Sequence, residues 1–180
     1  MLLMQLTGLS GAGKTTLANL TADNLQMAGY KVLVIDGDAY RKTICSDLGF
    51  SRNDRMENIR RLAKIGFQQL HENDVVILSA INPYEICRQE IRDQSAFVKT
   101  IWIDCPINIL EKRDTKGLYK RALLPNNHPD KISNLTGVND PFETPVYYDL
   151  KISTDQQSIQ QSVNKMLGFV YSSVSVLRNS

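Results

Sequence analysis

Gly8-Leu9-Ser10-Gly11-Ala12-Gly13-Lys14-Thr15 decides how this chain folds and where its chemistry starts. The eight residues satisfy G-x-x-x-x-G-K-[ST] and stand where that pattern has meaning. Before them lies the short apolar run 2–7; after them come helix-period apolar positions at Leu17, Ala18, Leu20, Leu25 and Ala28. Strand, glycine loop and helix in that order make a phosphate cradle. Backbone N–H groups of the loop turn inward, the helix N-terminus adds partial positive charge, and a side chain at Gly8 or Gly13 would crowd the approach. Gly8, Ser10, Gly11, Ala12, Gly13, Lys14, Thr15 and Thr16 are therefore the candidate nucleotide-binding residues. Lys14 is placed to reach the β- and γ-phosphates of ATP, and the Thr15 hydroxyl to ligate the accompanying Mg²⁺.

Outward from the loop the pattern repeats. Gly29 closes the first helix, and 32–35 reads as a buried strand. A charged helical stretch runs from about Asp54 to Glu72, and further strand-like runs lie at 75–79, 97–103 and 149–153. Strands alternating with helices predict an α/β fold of three layers around a five-stranded, mainly parallel sheet, with ligands at the carboxyl ends of the strands. The 180 residues fit a single domain spanning 1–180. Residues 114–146 are rich in Pro, Asn and Gly and too long for an ordinary connection, so they read as a mobile lid. For residues 168–180 an added element, a dimer contact and a frayed tail all stay open, and a homodimer is among the assemblies the sequence admits.

Composition narrows the partners. With 21 basic and 19 acidic residues the net charge is only +2, which gives no case for nucleic acid or a membrane surface. No apolar run is long enough to span a bilayer, and the short apolar start lacks the basic flank of a signal peptide, so a cytoplasmic protein is expected. Cys45, Cys87 and Cys105 are odd in number and lack Cys-x-x-Cys spacing, which favours reduced thiols, two of them in the core, over a disulfide or zinc framework. No Asn-Lys-x-Asp string is present with which a GTPase would read guanine. A chain this short also lacks room for a motor's accessory domains. A kinase acting on a small molecule remains.

The acceptor side begins at Asp36-Gly37-Asp38-Ala39-Tyr40-Arg41, after the second strand. An acceptor hydroxyl must lose its proton as it attacks the γ-phosphoryl group; an Asp here can orient it and take that proton, while Arg41 offers a forked donor set to an anion. Helix capping accounts for either Asp alone but not for the whole set.

Taken together, Gly8 to Thr15, Asp36-Gly-Asp38, Leu48-Gly-Phe50, Asp54-Arg55-x-Glu57-Asn58-Ile59-Arg60-Arg61 and Arg113-Asp114-x-Lys116-Gly-Leu118-Tyr-Lys resemble the adenylylsulfate kinases over about residues 3 to 155. The resemblance implies transfer of the γ-phosphate of ATP to the ribose 3′-hydroxyl of adenylylsulfate, giving 3′-phosphoadenylylsulfate (PAPS) for sulfate assimilation. On that pattern Asp38 is the catalytic base, assisted by Lys14. Arg41, Arg55 and Asn58 bind the phosphosulfate and ribose, and Phe50 and Phe142 sandwich the adenine. Asp36, Ile81 and Asn82 complete the acceptor site, Lys116 and Leu118 close over it, and Arg113 packs on the ATP adenine. Arg60 and Arg61 belong to the same string, but a surface or ion-pair role is expected for at least one of them.

Two departures matter. Many bacterial members carry Ile-Ser-Pro after the third strand, with that serine described as a phosphoserine intermediate; here the string is Ile81-Asn82-Pro83. Asn forms no phosphoester, so transfer must be direct and Asn82 is a substrate or turn residue. The lid stretch Leu123 to Ser133 is also longer than usual, which keeps a same-fold kinase for another anionic nucleotide, such as cytidine diphosphoramidate, as the alternative. A silent nucleotide-binding module is disfavoured by the presence of Lys14, Thr15 and Asp38 together.

Overall fold

The structure, a computed structural model, describes residues 1–178. Its strands are β1 (Leu2–Thr7), β2 (Val32–Asp36), β3 (Val75–Ser79), β4 (Val98–Asp104) and β5 (Leu150–Ser153). They form one sheet of order β2-β3-β1-β4-β5 in which every pairing is parallel, so the expected mainly parallel sheet is wholly so. β1 lies between β3 and β4, and the chain leaves it in one direction toward β2 and later in the other toward β4. That reversal opens a crevice at the carboxyl ends of β1 and β3, where the glycine loop begins.

The period-2 alternation of β1 sorts its side chains between two cores. Leu2, Met4 and Leu6 face a cluster containing Leu17, Ala18, Leu25, Val163, Met166 and Val170. These come from α1 (Lys14–Met27) and α7 (Ile159–Arg178). Leu3 faces the opposite cluster, with Ile59, Leu62, Cys87 and Ile91 from α3 (Arg52–Gln69) and α4 (Glu85–Arg92). Gln5 and Thr7 share the face of Leu3 and are fully buried there, which makes them polar residues in an apolar wall.

Residues 168–178 continue α7, and Val170 and Val174 are buried in the core, so most of the tail is an integral helix; Asn179 and Ser180 lie outside the described residues. The stretch read as a lid follows α5 (Ile107–Arg113) and contains one short helix, α6 (Leu118–Ala122), and otherwise irregular chain. It is folded against the body: the Tyr119 hydroxyl donates to the Ser10 carbonyl at 2.8 Å, and Leu135 and Thr136 are buried. All three cysteines are free and buried, one more than expected in the core. No helix among the described residues is long and apolar enough to cross a membrane.

Candidate active site

The glycine loop runs from β1 to α1. Gly13 is the residue before α1, left-handed at φ 100°, and no side chain caps the helix start, so the first N–H groups of α1 are free to meet an anion. Gly8 has a different reason to be glycine. At φ +151°, a Cβ there would sit 2.2 Å from the Ile103 carbonyl oxygen of β4. Crowding at Gly8 therefore comes from the neighbouring strand, where the sequence suggested the phosphate. The Lys14 ammonium is buried among the carbonyls of Gly8 (2.9 Å) and Leu9 (2.8 Å). Burial pushes its pKa down to about 8, with Asp38 opposing and Lys116 reinforcing that shift.

At the far lip of the loop the Thr15 hydroxyl donates to Asp36 Oδ2 at 2.8 Å and lies 3.3 Å from Ser79 Oγ. Asp36 also accepts from the N–H groups of Asp38 and Ala39, capping α2 (Gly37–Tyr40). Capping thus explains Asp36 but not Asp38. Three hard oxygen groups beside the phosphate loop suit Mg²⁺, which in such sites is held by one or two protein oxygens plus phosphates and water. Ser79 was not singled out in the sequence; a serine ending a buried strand beside Asp36 was the available signal.

The acceptor pocket, a cavity of about 500 Å³, opens beside the loop and is lined by Ser10, Asp38, Arg41, Phe50, Arg55, Asn58, Ile81, Asn82, Lys116 and Leu118, with Asn134, Leu135 and Thr136 from the lid stretch. Asp38 is held by Lys116 at 2.7 Å. Partial burial raises its pKa, but the Lys116 hydrogen bond and charge, with Lys14 and Arg41 behind, bring it below the ordinary carboxylate range. Arg41 and Arg55 lie over the Phe50 ring at 4.9 and 5.5 Å. Burial first, and then the Arg55 charge, depress the Arg41 pKa.

Arg55, which lines the pocket, also binds the protein itself. Its Nε donates to the Phe50 carbonyl at 2.9 Å and Nη1 to Thr136 Oγ1 at 2.9 Å; Nη2 reaches the Asn134 carbonyl, and Asp140 pairs with it at 3.2 Å. It thereby ties the lid stretch to α3. Asp54 of the same string closes a capping box with Ser51 at the start of α3. Arg60 pairs with Glu90, and Arg61 with Asp47 and Glu57, so both take the ion-pair role.

One expected pocket residue, Phe142, is placed elsewhere, and Arg113 stands apart from the pocket on the loop side. Phe142 lies outside the pocket lining, 5.9 Å from the Arg88 guanidinium, so Phe50 alone stands in the pocket as a stacking surface. Arg113 sits on the other side of Lys116, donating to the Thr154 carbonyl at 2.9 Å and bordering a cleft with Gly11 and Tyr119. That position is compatible with the nucleotide side.

A parallel sheet with a glycine loop at its switch point, a buried loop lysine and a carboxylate across from it define a P-loop phosphotransferase. Solved structures of a gluconokinase from Sinorhizobium meliloti (17% identity, TM-score 0.65) and a shikimate kinase from Aquifex aeolicus (15%, TM-score 0.51) share that fold. The family model for adenylylsulphate kinase matches residues 1–153, and the chain belongs to that family. The adenylyl-sulfate kinase of Synechococcus sp. strain JA-3-3Ab is 40% identical over 161 residues, 89% of each chain. That of Chloroflexus aurantiacus is 39% identical over 166 residues, 92% of this chain and 87% of the relative. The structure of the Mycobacterium tuberculosis APS kinase in complex with AMPPNP and APS is similar at 30% identity and TM-score 0.83, covering 94% of this chain and 97% of that one. The chain is accordingly a kinase, and the resemblance read from its motifs holds.

Proposed function

We propose that this chain transfers the γ-phosphoryl group of ATP to the ribose 3′-hydroxyl of adenylylsulfate, releasing ADP and PAPS. The observation that carries the reading is Asp38, aimed across the glycine loop into a pocket lined by Arg41, Arg55 and Lys116. A doubly anionic phosphosulfate fits that charge, and Phe50 offers its exposed face to a base.

The chain's own groups then act as follows. The loop N–H groups and Lys14 hold the β- and γ-phosphates, and Arg113 borders the ATP base. Thr15, with the phosphates and water, would hold Mg²⁺, and Asp36 stands behind Thr15; when bound, the metal neutralises charge on the transferring group. Asp38 orients the 3′-hydroxyl and takes its proton as the oxygen attacks phosphorus in line. Being ionised at neutral pH and a weak base, it suits a loose transition state in which proton transfer comes late. Arg41, Arg55, Asn58 and Lys116 hold the acceptor's anionic and ribose side, with Ile81, Asn82 and Leu118 forming the wall. The lid reading adds that residues 114–146 move with substrate, which would bring Phe142 toward Phe50. A cytoplasmic setting agrees with three free, buried thiols.

The test follows ADP release from purified protein with Mg²⁺-ATP and either adenylylsulfate or cytidine diphosphoramidate, with Asp38→Ala as the blank. Turnover on adenylylsulfate that the substitution abolishes supports the reading. Turnover on the cytidine compound alone would replace it.

A further inference from the structure

Beneath the acceptor pocket lies a closed ring of three buried side chains on different elements. Gln5 Nε2 of β1 donates to the Arg88 carbonyl at 2.9 Å; Arg88 Nη1 of α4 donates to the Asn82 carbonyl at 2.8 Å; Asn82 Nδ2 donates to Gln5 Oε1 at 3.1 Å. All three residues are at most 2% exposed. Asn82 itself is left-handed, at φ 44°, a conformation Asn tolerates better than most residues.

The ring decides which way the Asn82 amide points. The Arg88 carbonyl can only accept, so Gln5 must turn its NH₂ end toward it, where Thr100 Oγ1 also lies at 2.9 Å. The Gln5 oxygen is then the end facing Asn82, and Asn82 must answer with its own NH₂. Its Oδ1 is left buried and unpartnered among the described residues, on a side chain that lines the acceptor pocket. The Asn58 Oδ1 across the same pocket is likewise buried and unpartnered. Leaving such an oxygen unpaired is unfavourable, and a donor on a bound molecule would offset that cost.

Resting on the adenylylsulfate reading above, we propose that Gln5 is a positioning residue for acceptor specificity. By fixing the Asn82 amide so that its buried oxygen has no partner among the described residues, on a residue of the pocket wall, it makes that wall require a hydrogen-bond donor, a hydroxyl or amino group, from the acceptor. An acceptor lacking a donor at that place leaves the oxygen unpaired and binds more weakly.

The experiment is a double-mutant cycle of Gln5→Met and Asn82→Gly, read as separate KM values for adenylylsulfate and ATP. Glycine removes the amide while keeping the left-handed turn, and Met keeps the volume of Gln without its amide. Gln5→Met is expected to raise the adenylylsulfate KM about tenfold, one hydrogen bond's worth. The KM for ATP should stay within about twofold, and Asn82→Gly should raise the acceptor KM at least as much. In the Asn82→Gly background, Gln5→Met should add nothing, because Gln5 acts through the amide that is gone. A Gln5 effect that persists in that background, or equal shifts in both KM values, would overturn the proposal in favour of a packing role. So would an unchanged acceptor KM in Asn82→Gly, a result that stands even if Gln5→Met fails to fold. Wild-type protein without turnover on adenylylsulfate would instead remove the underlying reading, and is seen before any variant is made.

Discussion

The nucleotide loop and the acceptor pocket lie side by side and are built in opposite ways. The loop is eight consecutive residues, and the groups it can offer a phosphate are mostly backbone N–H groups whose directions follow from glycine conformations. Besides Ser10 of the loop, the pocket draws residues from five separated segments, near 38, 55, 82, 116 and 135, and several already bind one another: Lys116 holds Asp38, Arg55 holds Thr136, and Gln5 and Arg88 hold Asn82. A backbone site is specified locally. A side-chain site is specified by the tertiary contacts that aim it, and substitutions should separate the two.

The largest effect is expected at the one residue where both regions act on the same atoms. Asp38→Ala should lower kcat about 10³-fold or more with little change in the ATP KM, since general base catalysis contributes about 10²–10⁴ and the nucleotide loop is untouched. Asp38→Asn keeps the shape and loses the charge that Lys116 pairs with. If it retains more than about a tenth of wild-type kcat in steady-state assays, Asp38 positions the hydroxyl without taking its proton.

Next comes Gly8→Ala, which tests whether the loop is specified by phosphate or by the fold. The added Cβ meets a backbone carbonyl of β4 at 2.2 Å, and neither partner is a flexible side chain. A destabilisation of about 3 kcal/mol is expected, roughly 6–12 °C in Tm for a domain of this size, measured without nucleotide. Loss of ATP affinity with unchanged Tm would return the glycine's role to the ligand.

The same contrast explains what the sequence could convey. Five strands, the helix after the loop and the residues of the cradle were legible because periodicity and a contiguous motif are local signals. The pocket residues were named through family strings, which say that Arg55 belongs to the site but not that most of its hydrogen bonding is spent on the lid stretch. Phe142 was paired with Phe50 by pattern, and only the fold shows it beside Arg88. Gln5 offered a faint signal, a carboxamide in the strand Leu2–Thr7 with apolar neighbours on both sides. Its partners lie 77 and 83 residues away in sequence, beyond the reach of any period.

A smaller effect should appear in the pH dependence of nucleotide binding. Burial leaves the Lys14 pKa lowered to about 8 before nucleotide arrives, and a bound polyphosphate favours the ammonium and raises it. Below pH 8 the free protein already carries the charge, so affinity is flat from that source. Above pH 8 a proton must be taken up on binding, and affinity for a non-hydrolysable Mg²⁺-ATP analogue should fall up to about tenfold between pH 8 and 9. Calorimetry at pH 8.5 in two buffers of different ionisation enthalpy should show net proton uptake. Lys14→Arg, charged at every accessible pH, should remove both the slope and the uptake.

The smallest effect separates neighbours within one string. Arg55 and Arg60 stand five residues apart on α3, yet Arg55 faces the pocket almost fully buried while the Arg60 side chain is 44% exposed and bidentate to Glu90. An exposed pair of that kind contributes about 0.2–1 kcal/mol, screened by salt. Arg60→Ala should therefore lower Tm by no more than about 4 °C, less at high salt, and leave both KM values unchanged. Arg55→Ala removes two hydrogen-bond donors and an ion-pair partner from the lid stretch and a charge from the pocket, and should raise the acceptor KM well above the ATP KM. If Arg60→Ala matched it, the boundary between the pocket and the outer face of α3 would be drawn in the wrong place. The shared string would then mark a larger anion site than the cavity itself outlines.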